Sequence, residues 1–92
     1  MSRKADNLLA RMRASKAGWS RDDLVTLYEG FGFTIRYGSS HDIVKHPEYP
    51  ALRATLPRHD DLAKAYVDQA IKLIERLKQL QGGGSDARSV GR

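Results

Sequence analysis

The sequence predicts an α+β domain in the order (α)αβββα, a three-stranded antiparallel sheet with its helices packed on one face. Three observations predict it. Apolar residues recur at helical spacing before and after the middle of the chain, the period drops to two between them, and clusters of small or turn-forming residues cut that middle into three strands. A chain of 92 residues has room for one core only, and residues 17–81 carry it.

Residues 4–14 form a short helix through Leu8, Leu9 and Met12, and Gly18 separates it from the next element. Residues 1–16 are read as a basic N-terminal helix or extension. The second helix starts at Ser20, where Ser20 and Asp23 make a capping box. Leu24, Leu27, Tyr28 and Phe31 then follow on one face until Gly30 and Gly32 end it. Phe31, Phe33, Ile35 and Tyr37 next alternate with Gly32, Thr34 and Arg36 as a first strand. Gly38-Ser39-Ser40 turns the chain into a second strand, His41 to His46. Pro47-Glu48-Tyr49-Pro50 turns it again into a third, Leu52 to Leu56. Residues 60–81 form the last helix, capped at Asp60 or Asp61, with Leu62, Tyr66, Ala70, Leu73 and Leu77 on its apolar face and Val67, Ile71 and Ile74 beside them. Gly82 opens a glycine-rich tail, residues 82–92, with almost nothing to bury, so it is expected to be disordered.

Counting back from the turns places Ile35 opposite Ile43 and Ile43 opposite Ala54, facing the helices. Arg36, Asp42, Val44, Arg53 and Thr55 then face water, and His41 sits at the rim of the helix-facing side with Tyr37 and Leu56.

The chain has no cysteine, which excludes disulfide staples and cysteine-bound zinc and suits the cytoplasm, the expected location. No segment has the apolar run of a signal peptide or a membrane span. The net charge of +5 is uneven: Arg3, Lys4, Arg11, Arg13 and Lys16 against Asp6, with Arg88 and Arg92 against Asp86, account for all of it. Residues 17–81 are therefore neutral overall, and a nucleic-acid partner must be argued from local clusters rather than from total charge.

Four segments carry a family resemblance: Arg21-Asp22-Asp23-Leu24 followed by Gly32-Phe33; Gly38-Ser39-Ser40-His41-Asp42-Ile43-Val44-Lys45-His46-Pro47; Thr55-Leu56-Pro57-Arg58-His59; and Lys64-Ala65-Tyr66. In this order and spacing the chain resembles the HicA toxins over roughly residues 8–80. The resemblance implies a fold like a double-stranded-RNA-binding domain, cleavage of messenger RNA, a HicB-like antitoxin as partner, and His41 as the histidine associated with cleavage. Two positions depart from the family pattern. Asp42 stands where a second histidine is common, and Val44 where an aromatic residue is common. An aspartate beside a phosphate site is expected to weaken RNA affinity or to mark an inactive toxin.

Cleaving RNA without a metal requires a base for the 2′-hydroxyl, donors for the phosphorane and an acid for the leaving oxygen, and histidine serves either proton role. His41 is the candidate catalytic residue, while Gly38, Ser39, Ser40, Lys45, Arg58, His59 and Lys64 are candidate RNA contacts. His59 returns toward His41 along the third strand and is either a second acid–base group or a helix cap. His46 faces away from His41 and reads as a turn residue before Pro47. Arg36, Lys45, Arg53 and Arg58 form either a backbone-binding patch or an ordinary solvated face, and Trp19 and Tyr49 read as packing residues. Three histidines without ligand spacing give neither a metal site nor a cofactor cradle. Two other functions fit the same fold: a non-catalytic RNA-binding module that does not need His41, and an inactive toxin homologue acting through partner binding.

Overall fold

A computed structural model describes residues 3–38, 40–58 and 64–82. The elements run α1 Arg3–Ala14, α2 Arg21–Gly30, β1 Thr34–Arg36, β2 His41–His46, β3 Tyr49–Pro57 and α3 Lys64–Leu80. The three strands form one antiparallel sheet in the order β1-β2-β3, giving the α+β arrangement of a double-stranded-RNA-binding domain.

The helices begin and end where local chemistry dictates. Ser20 caps α2 by accepting the Asp23 N–H at 3.2 Å, and the Asp23 carboxylate accepts the Ser20 N–H at 3.0 Å, which satisfies two otherwise orphaned donors. At the other end the N–H groups of both Phe31 and Phe33 bond back to the Tyr28 carbonyl, while Gly32 takes a φ of +90° that a side chain would resist. Phe31 is therefore the C-cap of α2 and not a strand residue, so β1 begins only at Thr34.

One core joins everything. Ala5, Leu9 and Met12 from α1 pack with Leu24, Leu27 and Tyr28 from α2 and with Val67, Ala70, Ile71, Ile74 and Leu77 from α3. From the sheet side come Val44, Leu52, Ala54 and Leu56, closed at one end by Phe31 and Phe33. The buried face of α3 centres on Val67, Ile71 and Ile74, with Tyr66 and Leu73 only half-buried, so it is turned from the expected stripe toward its β-branched side. Ion pairs Arg13–Glu75 at 2.9 Å, from α1, and Lys16–Asp68 at 2.7 Å, from the segment after it, reach across to α3. The expected caps at Asp60 and Asp61, the contact expected from Leu62, and most of the tail 82–92 lie outside the described residues.

The sheet corrects the expected register. Ile35 pairs with Val44 and Val44 with Ala54, a one-residue slip of β2 relative to both neighbours. Because side chains alternate with a period of two, the slip exchanges the faces of β2 alone. Asp42, Val44 and His46 turn inward and are buried, while His41, Ile43 and Lys45 turn to the open face. This setting of β2 brings the Asp42 carboxylate to the inward partners described below. β3 is also longer than expected: the turn is only Pro47-Glu48, Tyr49 pairs with His46, and the pairing shifts between Lys45 and His46. None of the described helices is long and apolar enough to cross a membrane.

Candidate active site

The first hairpin is organised around the Asp42 carboxylate. Asp42 is 1% exposed, and a carboxylate removed from water needs compensation. Oδ2 accepts a hydrogen bond from the Arg21 guanidinium, Oδ1 accepts the Gly38 N–H at 3.2 Å, and Arg58 Nη2 lies 3.5 Å from Oδ1. Arg21 is held a second time, its Nε donating to the Pro57 carbonyl at 3.1 Å. Burial pushes the Asp42 carboxyl up, but the hydrogen bonds from Arg21 and Gly38 and the charges of Arg21 and Arg58 outweigh it and hold the group below the usual carboxylate range. The same hydrogen bond to Asp42 raises Arg21 above its ordinary value. Thus α2, the hairpin turn and the end of β3 are tied together at one buried anion.

His41 stands next to this knot. It pairs with Pro57 at the end of β2 and is exposed on the open face, not on the helix-facing rim where the expected register put it. The turn before it is tight: a Cβ on Gly38 would lie 2.4 Å from the His41 carbonyl oxygen, so only glycine fits against the His41 backbone. Of the candidate RNA contacts, Gly38 and Arg58 meet at Asp42, and Ser40 is exposed beside His41. Lys45 shares the open face but lies four residues along β2, about 13 Å away at ~3.3 Å per residue, where it pairs with Thr34 and Arg53. Lys64 is exposed at the start of α3. Ser39 and His59 lie outside the described residues.

The open face of the sheet carries Arg36, Lys45 and Arg53 with His41, and among the described strand residues no carboxylate faces the same way. The feared anion beside the site is thus buried on the other side and already neutralised. His46 is buried, its ring 5.0 Å from that of Phe33 and 5.2 Å from that of Tyr49, with Nδ1 accepting the Glu48 N–H at 3.1 Å. That is a structural role. Trp19 donates to the Ser15 carbonyl at 2.7 Å with Arg11 over its ring, and it too is a packing residue.

Two members of the cluster were missed in the sequence. Arg21 looked like a first-turn residue of α2, and its only signal was its place in the Arg21-Asp22-Asp23-Leu24 segment. Tyr37 was assigned to the helix-facing rim, yet it is 66% exposed, with the Arg21 guanidinium 5.8 Å from its ring centroid. Among the described residues no group of three histidine, cysteine, aspartate or glutamate side chains is arranged to hold a metal ion.

The family model for the HicA toxin of bacterial toxin–antitoxin systems matches residues 21–81, from Arg21 through α3. This chain belongs to the HicA toxin family. It is accordingly the toxin of a toxin–antitoxin pair, with an antitoxin as its partner. Comparison with curated proteins and with solved structures gave no match. The HicA match begins at the arginine that grips Asp42 and includes the whole hairpin cluster, whereas α1 precedes it.

Proposed function

We propose that this HicA toxin is a metal-independent endoribonuclease of messenger RNA, with His41 as its general acid or base and a HicB-like antitoxin as its inhibitor. The observation that carries the reading is an exposed His41 on a basic sheet face, backed by a buried Asp42 that fixes the turn before it and draws in Arg58. In the reaction the ribose 2′-oxygen attacks the adjacent phosphorus and the bond from phosphorus to the 5′-oxygen breaks. The products are a 2′,3′-cyclic phosphate and a free 5′-hydroxyl. His41 takes the 2′ proton or gives one to the leaving oxygen, water exchanges the other proton, and the positioned transfer is worth about 10²–10⁴-fold in rate. Arg58, half exposed beyond its contact with Asp42, and the turn at Ser40 supply positive charge and donors to the phosphorane. Ser39, His59 and Lys64 remain candidate RNA contacts. Arg36, Lys45 and Arg53 neutralise the backbone of the bound strand, and a messenger-RNA target puts the toxin's action in the cytoplasm.

The test is His41→Ala in the purified full chain. Cleavage falls about 10²–10⁴-fold while RNA affinity and thermal melting change little, because the side chain is exposed. A substrate with 2′-deoxyribose at the cleaved position resists the unmodified toxin. Normal cleavage by His41→Ala would remove the catalytic assignment. If neither protein cleaves RNA but both bind it through the basic face, the non-catalytic RNA-binding reading takes over.

A further inference from the structure

We propose that Tyr37 is a stacking platform for one unpaired nucleobase of the bound RNA, beside the cleavage centre. The inference rests on the ribonuclease reading above and adds a base-binding subsite to it. Among the described residues, Tyr37 is the most exposed large apolar side chain, at 66%. Nothing in the folding of the core requires an aromatic ring there. Its ring is nevertheless backed: the Arg21 guanidinium sits 5.8 Å from the centroid, within the range of a cation–π contact. Arg21 is itself held by Asp42 and by the Pro57 carbonyl, so one face of the ring rests on a fixed support. A base arriving on the other face finds a platform whose ordering cost is already partly met.

The surroundings favour RNA as the occupant. Tyr37 is followed by Gly38, whose backbone abuts the His41 carbonyl, so Tyr37 and the proposed catalytic residue flank the same tight turn. Arg36 precedes it on the open face and Arg58 shares the Asp42 anchor with Arg21, so the turn that carries the ring is rich in cations while its carboxylate is buried. Base stacking on an aromatic residue within a cationic surface is how single-stranded nucleic acid is held with little sequence preference. A fully paired strand cannot offer a base to such a ring, so the subsite selects unpaired segments.

The experiment measures equilibrium binding of a fluorescently labelled single-stranded RNA to the full chain carrying His41→Ala, alone and combined with Tyr37→Ala, Tyr37→Leu or Tyr37→Phe. Expected is a loss of roughly 5- to 150-fold for Tyr37→Ala and Tyr37→Leu, with Tyr37→Phe retaining most of the affinity. Walking an abasic nucleotide along the RNA should find one position where the base loss costs the same and costs nothing further in Tyr37→Ala. On a fully duplexed RNA the Tyr37 variants should bind as the parent does. Equal single-strand affinity for parent and Tyr37→Ala overturns the subsite and leaves the ribonuclease reading standing, as does a loss that Tyr37→Leu restores. Failure of the parent to bind either RNA overturns the ribonuclease reading and the subsite with it.

Discussion

Arg21, in the first turn of α2, donates to the buried carboxylate of Asp42 on β2, 21 residues away in the chain. This contact sets which face of β2 looks outward and therefore where His41 points.

Asp42→Asn tests the contact through pH. The folded-state carboxyl lies below its ordinary range, so Asp42 contributes stability that is fully present above about pH 4 and is lost as pH falls through the depressed value. The acid limb of the stability profile should therefore be flatter in Asp42→Asn than in the parent. Urea midpoints between about pH 5 and pH 2 measure it, and parallel profiles for the two proteins would refute the assignment.

His41→Ala and His46→Ala should separate cleanly in thermal melts. His41 is exposed and its loss costs about 0.5 kcal/mol or less, whereas His46 is packed between Phe33 and Tyr49 and its loss costs about 1–3 kcal/mol. Because its removal loosens the turn at Glu48, His46→Ala serves as a stability probe, not as a neutral control for catalysis. Equal melting temperatures for the two variants would contradict the assignment.

Tyr28→Phe should be neutral or stabilising. The hydroxyl is buried without a hydrogen-bond partner among the described residues, and burial pushes its ionisation well up. Leaving a polar group unpaired in a core costs about 1–3 kcal/mol, so deleting the oxygen removes a penalty while the ring keeps its edge contact with Phe33 at 5.4 Å. A lower denaturation midpoint for Tyr28→Phe would mean that the hydroxyl has a partner.

Gly38→Ala should damage both fold and cleavage. The new methyl would overlap the His41 carbonyl, so the turn must open and the Gly38 N–H must leave Asp42. A cost of about 1–3 kcal/mol is expected, together with a loss of RNA cleavage larger than the loss of folded protein explains. Chemical-shift changes confined to residues outside the hairpin would count against this.

Cleavage should persist in excess chelator, because the proton transfers and the charge at the phosphorane are assigned to His41 and Arg58. Activity abolished by chelator and restored by a divalent cation would refute the metal-independent mechanism.

Much of this protein was determined by its sequence alone. The element order, the Ser20–Asp23 capping box and the apolar face of α2 follow from local spacing and local hydrogen bonds, which a linear reading captures. His41 entered as a candidate through the Gly38-Ser39-Ser40-His41 segment and the family it resembles, and its catalytic role stands as the proposal above. What only the tertiary structure decided was direction. A period-two strand has two equivalent settings, and alternating Asp42 and Val44 against His41 and Ile43 gave no local reason to bury the aspartate. The reason is Arg21, which is distant in sequence, and it turned Asp42 from an anion facing the site into the anchor beneath it. Tyr37 was placed on the helix-facing rim by extending the alternation of β1, but β1 ends at Arg36, so the pleat no longer sets the direction of Tyr37, and the Arg21 guanidinium near its ring is distant in sequence. Charge neutralisation across long sequence separations leaves no periodic trace, so the chain encodes the site's parts and the fold encodes their orientation.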